Sequence, residues 1–206
     1  MSNSKPILEL QNVSKFYDIS RNIKELFAGI KPLVKAVENV SFKIFSGETV
    51  GILGESGCGK TTLGKLILNL LEPTKGNIYF LSKDIHNYEG KQIKEFKKNV
   101  QLIFQNPYDA LNPRFTIKNT LLEPLRSLDF PADQHNSLLE NVMNLVKLSN
   151  VSEYLDKYPH ELSGGQLQRV VLARALIINP LFVVADEPVS MLDVSVRAGI
   201  LNAFNE

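Results

Sequence analysis

Apolar and polar residues alternate through Ile7-Leu8-Glu9-Leu10 and again at Val40, Phe42 and Ile44, the two-residue period of half-buried strands. A Ser46-Gly47 turn follows, and the apolar run Thr49-Val50-Gly51-Ile52-Leu53 then predicts a buried strand. Beyond it Leu63, Leu66, Ile67 and Leu70 recur at helical spacing until Glu72-Pro73 stops the pattern. Residues 18–35 carry mixed charge, glycine and proline breaks and a weak helical period, which predicts a surface insertion between the first strands. From about 114 to 162 the period is helical, with Leu138, Val142, Leu145 and Val146 on one apolar face, and this predicts an inserted helical subdomain. A further helix is expected with Leu167, Val170, Val171 and Ala175 inward, then an apolar strand over Leu181–Ala185, then a last helix through Val196, Ile200 and Phe204. No internal repeat interrupts this order.

Between the predicted strand at 49–53 and the helix after it stands Gly54-Glu55-Ser56-Gly57-Cys58-Gly59-Lys60-Thr61, a complete G-x-x-x-x-G-K-[ST] loop. Glycines let the backbone fold into a nest of N–H groups around phosphate, Lys60 reaches the β/γ oxygens, and the Thr61 hydroxyl is a ligand for Mg²⁺. Strand, phosphate loop and helix in this order form the core unit of a nucleoside triphosphate site. Cys58, the single cysteine, contributes its backbone N–H there rather than a catalytic thiol, and one cysteine allows neither an internal disulfide nor a cysteine-based metal centre within these residues.

Two further stretches carry chemistry. The apolar strand at Leu181-Phe182-Val183-Val184-Ala185 ends in Asp186-Glu187, adjacent carboxylates suited to hold Mg²⁺ and to polarise a water against a terminal phosphate. Leu162-Ser163-Gly164-Gly165-Gln166 opens a helix with Ser163 as N-cap, and its glycines leave N–H groups bare at the positive end of the helix dipole. The basic run Lys91 to Lys98 is a solvated face, and His86 and His135 are surface residues in polar surroundings.

Composition narrows the choice only a little. The 206 residues suffice for one core or a core with a small subdomain, and a formal charge of +1 gives no broad basic field, so nucleic acid is not expected as a partner. The N-terminus lacks an apolar secretory core, and the apolar stretch 170–185 is broken by Arg174, Asn179 and Pro180, which predicts a cytoplasmic chain without a membrane span.

Together these stretches resemble the nucleotide-binding subunit of ATP-binding cassette (ABC) transporters over essentially the whole chain. Gly54 to Thr61, with Thr62 after it, is similar to the Walker A loop, Phe104-Gln105 to the Q-loop, and Leu162 to Gln166 to the family signature. Leu181 to Glu187 is similar to the Walker B strand, Ser190-Met191-Leu192-Asp193 to the D-loop, and Tyr17 to the aromatic that stacks on adenine, with Phe16 the alternative. The stretches Phe104 to Arg114 and Asp186 to Ser195, and the insertion at 18–35, resemble the oligopeptide and dipeptide importer subfamily. Glu187-Pro188-Val189-Ser190 is more typical of the second of its two paired ATPases.

The resemblance implies an α/β fold: a P-loop NTPase core of mainly parallel sheet with helices, an N-terminal antiparallel β subdomain and an inserted α-helical subdomain. The expected division of a single nucleotide-binding domain is core with β subdomain at 1–105 and 163–206, and helical subdomain with the lead-in to the signature at 106–162. His160 belongs to that lead-in. The resemblance further implies an ATPase using ATP and Mg²⁺, paired head to tail with a second, different ABC ATPase. Ser163, Gly164, Gly165 and Gln166 of one subunit would cover the γ-phosphate held by Gly57, Gly59, Lys60 and Thr61 of the other. Thr61, Gln105 and Asp186 would serve the metal, Glu187 would be the general base with Gln105 sensing the attacking water, and Asp193 would touch the opposite subunit. Two transmembrane permease subunits would dock on the loop from Asn106 to Arg114 at the cytoplasmic face of the membrane, with an extracytoplasmic substrate-binding protein engaged indirectly. In the family another strand follows the last helix and ends in a histidine at the γ-phosphate, whereas here only Val194 to Glu206 follow Asp193 and no histidine follows His160. That departure predicts weak ATP binding and little hydrolysis by the chain as it stands, and keeps open a non-catalytic nucleotide-binding module or an ABC-type ATPase unconnected with transport.

Overall fold

A computed structural model of the chain describes residues 5–18, 33–103, 106–108 and 110–185. Contacts divide it into two compact units, Met1–Glu89 and Gly90–Glu206.

The first unit is built on strands β1 (Leu8–Asp18) and β2 (Leu33–Ile44), helix α1 (Lys60–Ile67), and strands β3 (Lys75–Phe80) and β4 (Lys83–Asp84). The strands form one antiparallel sheet in the order β2-β1-β3-β4. Leu8, Leu10, Ile44, Ile78 and Phe80 are buried, as their alternation with polar neighbours requires. The strands run longer than the local alternation indicates: β1 reaches Asp18 and β2 begins at Leu33, both inside the stretch expected as an insertion, whose residues 19–32 lie outside the described ones. Helix α1 buries Leu63, Leu66 and Ile67 as expected, but it stops at Leu68, because Asn69 turns left-handed at φ 54°, well before Glu72-Pro73. Leu70 is consequently 60% exposed rather than part of the buried face.

The expected strand at 49–53 is a correction. Among the described residues no strand is formed there, Val50 and Ile52 are exposed, and Leu53 is 96% exposed. A strand exists only through its ladder of backbone partners, and the sheet of this unit closes on β2 and β4 without admitting this run.

The second unit contains α2 (Lys91–Asn99), β5 (Val100–Ile103), α3 (Ile117–Ser127), α4 (His135–Leu145), α5 (Val151–Leu155), α6 (Gly164–Leu176) and β6 (Phe182–Ala185). Strands β5 and β6 pair in parallel, Val100 opposite Phe182 and Ile103 opposite Ala185. Helices α3, α4 and α6 share one core, in which Leu121, Leu125, Met143, Leu167 and Leu172 are fully buried. Each such side chain contributes about 1.5–3 kcal/mol through removal from water. The inward face of α4 is Leu139, Val142, Met143 and, just past its end, Val146, one position round from the expected set: Leu145 is 40% exposed and Leu138 only packs at the margin. The lysines of α2 are solvated as expected, with Lys94 paired to Asp129 and Lys98 over the Phe130 ring at 4.4 Å. His86, expected at the surface, is instead mostly covered: its Nδ1 lies 3.4 Å from Asp84 Oδ1, and Nε2 is buried. No helix among the described residues is long and apolar enough to cross a membrane.

Candidate functional site

The glycine loop folds around its own lysine. Gly57 and Gly59 take left-handed backbone angles, φ 80° and φ 99°, and Gly59 is the N-cap of α1. A Cβ on Gly59 would stand 2.0 Å from the Ala36 carbonyl oxygen, so the backbone of β2 passes where a side chain would have to be. Lys60 is the first residue of the helix, and its ammonium donates to the carbonyl oxygens of Gly54 at 2.7 Å and Glu55 at 2.8 Å, with Cys58 Sγ at 3.8 Å. A turn from Cys58 N–H to the Glu55 carbonyl, 3.3 Å, closes the loop. No side chain caps α1 and no carboxylate stands in its first turn. The loop thus presents a cation, glycine N–H groups and the positive end of a helix dipole together, a combination suited to an anion. Glu55, Ser56, Cys58 and Thr61 are exposed on it, and Thr62 is half-buried behind it.

Tyr17 stands on β1 opposite Val34, 37% exposed, with Lys15 Nζ 5.5 Å from its ring centre. Phe16 donates its N–H to Thr74 Oγ1. Lys15, which periodicity does not single out, thus sets a cation beside the candidate stacking ring.

The start of α6 is organised differently. Ser163 Oγ accepts from Gln166 N–H at 3.3 Å while Gln166 Oε1 accepts from Ser163 N–H at 3.0 Å, a reciprocal capping box. The expected N-cap is in place, and the Gln166 side chain is engaged in holding it. Gly164 and Gly165 form the first turn, half-buried. Leu167, Val170, Val171 and Ala175 face inward, as their spacing requires.

Parallel pairing sets the C-terminal ends of β5 and β6 side by side, at Ile103 and Ala185. From these ends the chain runs on into Phe104-Gln105 and into Asp186-Glu187. Gln105, Asp186, Glu187 and Asp193 lie outside the described residues. Among the described residues no cluster of three His, Cys, Asp or Glu side chains suits a metal ion. The donors named for Mg²⁺, the Thr61 hydroxyl with Gln105 and Asp186, are all oxygens, the ligand type that this cation takes.

One feature escaped the sequence altogether. Ala110, Leu111, Asn112, Phe115, Thr120, Glu123 and Arg174 line a polar cleft of about 410 Å³ in the second unit. Glu123 on α3 and Arg174 on α6 pair across it at 2.6 Å, although 51 positions apart in sequence.

A phosphate-loop helix and a glycine-started, serine-capped helix within one α/β chain define a nucleotide-binding cassette. The chain belongs to the ABC transporter family, whose sequence model matches residues 37–190. It is 42% identical to the oligopeptide transport ATP-binding protein AppF of Bacillus subtilis over all of its own length and 61% of that protein's. It is 42% identical to OppF and 43% identical to the dipeptide transport ATP-binding protein DppF, both of Haemophilus influenzae, over 98% of its length and 60% of theirs. The chain thus spans about 60% of the length of the curated relatives it matches. Among solved structures, the ATP-binding cassette MJ0796, in a dimeric post-hydrolysis state bound to ADP and Pi, matches with TM-score 0.80 and 28% identity over 97% of this chain and 83% of that one. CbiO1 of Clostridium perfringens, part of the ABC transporter complex cbiONQ, matches with TM-score 0.72 and 26% identity over 96% of this chain and 70% of that one.

Proposed function

We propose that this chain is the ATP-binding and ATP-hydrolysing part of a subunit that energises an importer of oligopeptides or dipeptides. The loop at 54–61 carries the proposal: it gathers the Lys60 ammonium and the uncapped start of α1 at one place, and the peptide-transport relatives match over the whole chain. Lys60 leaves the Gly54 and Glu55 carbonyls for the β and γ oxygens of ATP, exchanging neutral acceptors for charged ones. Tyr17 stacks on the adenine, and Gly54 to Thr62 wrap the phosphates. Mg²⁺, held by Thr61, Gln105 and Asp186, would neutralise the charge that develops on the phosphoryl oxygens. Glu187 takes the proton of a water as its oxygen bonds to the γ-phosphorus and the bond to ADP breaks, with Gln105 orienting that water.

The catalytic unit is a head-to-tail pair with a second ABC ATPase of related sequence. The signature Ser163-Gly164-Gly165-Gln166 closes on the partner's ATP, and Asp193 meets the opposite subunit. Core and β subdomain at 1–105 and 163–206 carry the nucleotide, and the helical region at 106–162 faces two transmembrane subunits at the cytoplasmic side of the membrane. Uptake of a labelled tripeptide by cells whose natural gene is replaced by the Glu187→Gln variant tests this. We expect uptake to fall at least about a hundredfold while ATP binding persists; undiminished uptake would overturn the proposal.

A further inference from the structure

The strand that carries Tyr17 is tied to the glycine loop at two places within the first unit. The register of β1 against β2 slips between Lys15 and Phe16, which face Val37 and Lys35, so that Ala36 is left over on β2. The Ala36 carbonyl is the group that lies against Gly59. The second tie comes after α1, the helix that the loop starts. Thr74 N–H donates to the Ser14 carbonyl at 2.7 Å, Thr74 Oγ1 accepts from Phe16 N–H at 3.0 Å, and the Glu72 carbonyl accepts from the Lys15 ammonium at 2.7 Å. The chain on either side of α1 therefore bears on the sheet at the level of residues 14–16, next to Tyr17.

Lys15 is held where its charge acts on the ring. A lysine on a strand ordinarily carries its ammonium out into water, and fixing its long stem costs rotamer entropy. Here the Glu72 carbonyl holds the ammonium over the Tyr17 ring, 5.5 Å from its centre and within the range of cation–π attraction. Tyr17 is 37% exposed, which leaves ring surface for a planar ligand. A positive charge against an aromatic ring draws the π electrons toward itself and leaves the rest of the ring less negative. Such a ring stacks on an electron-rich heterocycle such as a purine better than an unpolarised one does, because the two π clouds repel less.

We propose that Lys15 is a positioning residue for the nucleobase: held by the Glu72 carbonyl, its ammonium orients and polarises the Tyr17 ring against the purine of the bound nucleotide. This rests on the stacking role proposed for Tyr17 above and adds to it the cation that tunes the ring. Lys60 then serves the triphosphate, and Lys15, acting through Tyr17, serves the base.

Calorimetric titration with Mg-ATP and with inorganic tripolyphosphate tests this, on the wild-type ATPase subunit, Lys15→Gln, Lys15→Arg, Tyr17→Leu and the double variant Lys15→Gln with Tyr17→Leu. Lys15→Gln keeps a donor for the Glu72 carbonyl and loses the charge. Its ATP affinity should fall about two- to fivefold, the worth of one exposed cation–π contact, while its tripolyphosphate affinity stays as in wild type. Lys15→Arg keeps a cation and should bind ATP like wild type. In the Tyr17→Leu background Lys15→Gln should change nothing further, the coupling that a double-mutant cycle isolates. An equal loss for tripolyphosphate, the same loss in the Tyr17→Leu background, or a loss as large in Lys15→Arg overturns the action of Lys15 through the ring. Unchanged ATP affinity in Lys15→Gln beside a weakened Tyr17→Leu overturns the role of Lys15 and leaves the stacking standing. Undiminished ATP affinity in Tyr17→Leu overturns the stacking, and the role of Lys15 with it.

Discussion

Helices α1 and α6 both begin with glycine, at the cap of one and in the first turn of the other, and they are built on opposite principles. Helix α1 starts from Gly59 in a left-handed conformation with no side-chain cap, and the cation at its first position is folded back onto loop carbonyls. Helix α6 starts from Ser163 in an extended conformation, closed by the reciprocal bonds with Gln166. The first start carries no side-chain cap and brings its own positive charge; the second has its cap satisfied before any partner arrives. An open, charged start binds an anion within one chain, whereas a finished start with two glycines presents a smooth N–H surface to something brought against it. That contrast supports the proposal that the loop at 54–61 supplies nucleotide affinity and that the signature of a second subunit closes over the phosphate.

The largest effect that separates the two starts is at Gly59. Alanine there meets the Ala36 carbonyl at 2.0 Å and is strained at φ 99°, so Gly59→Ala should cost about 2–4 kcal/mol in denaturant unfolding of the unit and abolish ATP binding. At Gly164, whose backbone is already helical, alanine should leave stability unchanged or slightly raised. Next comes Cys58, exposed in the loop with its Sγ 3.8 Å from Lys60 Nζ. Alkylation by a bulky maleimide should weaken ATP binding at least about tenfold, near 1.4 kcal/mol, and bound ATP should slow the alkylation. Normal ATP affinity after full alkylation would break the assignment of the phosphates to this loop. Ser163→Ala should remove about 1 kcal/mol of stability through loss of the cap, read as a lowered urea midpoint, without touching the loop.

The smallest effect concerns the turn after β4, away from both helix starts. Burial raises the Asp84 carboxyl, and hydrogen bonds from the His86 N–H, the Asn77 amide and the His86 ring outweigh it, holding the group below its ordinary 3.8. A carboxylate depressed on folding stabilises the folded form above its unfolded value and loses that contribution as pH falls through the folded one. Stability curves of wild type and Asp84→Asn should therefore differ above about pH 4 and converge below it.

Much of both helix starts was legible in the chain, because caps and glycine loops are local chemistry. Gly54 to Thr61 and Ser163 to Gln166 each write their geometry within a few residues, and the buried face of α6 follows from its spacing. What failed was non-local. The apolar run 49–53 looks like a strand by composition, yet pairing decides the matter, and no ladder forms on it. Along α4, adjacent apolar residues at Leu138-Leu139 and Leu145-Val146 make two stripes one position apart equally apolar. Packing against α3 and α6 chose the one through Leu139, Val142, Met143 and Val146. The Glu123–Arg174 pair and the buried Thr120 hydroxyl join two helices distant in sequence, and no spacing rule reaches across that distance.

Titration of the undimerised chain with Mg-ATP, as wild type, Lys60→Ala and Ser163→Ala, tests the division of labour most directly. Lys60→Ala should weaken binding about ten- to a hundredfold, the loss of a charge-assisted hydrogen bond, while Ser163→Ala should bind within about twofold of wild type. Equal affinity for Lys60→Ala and wild type, or an equal loss in both variants, would contradict the placement of ATP in the loop at 54–61.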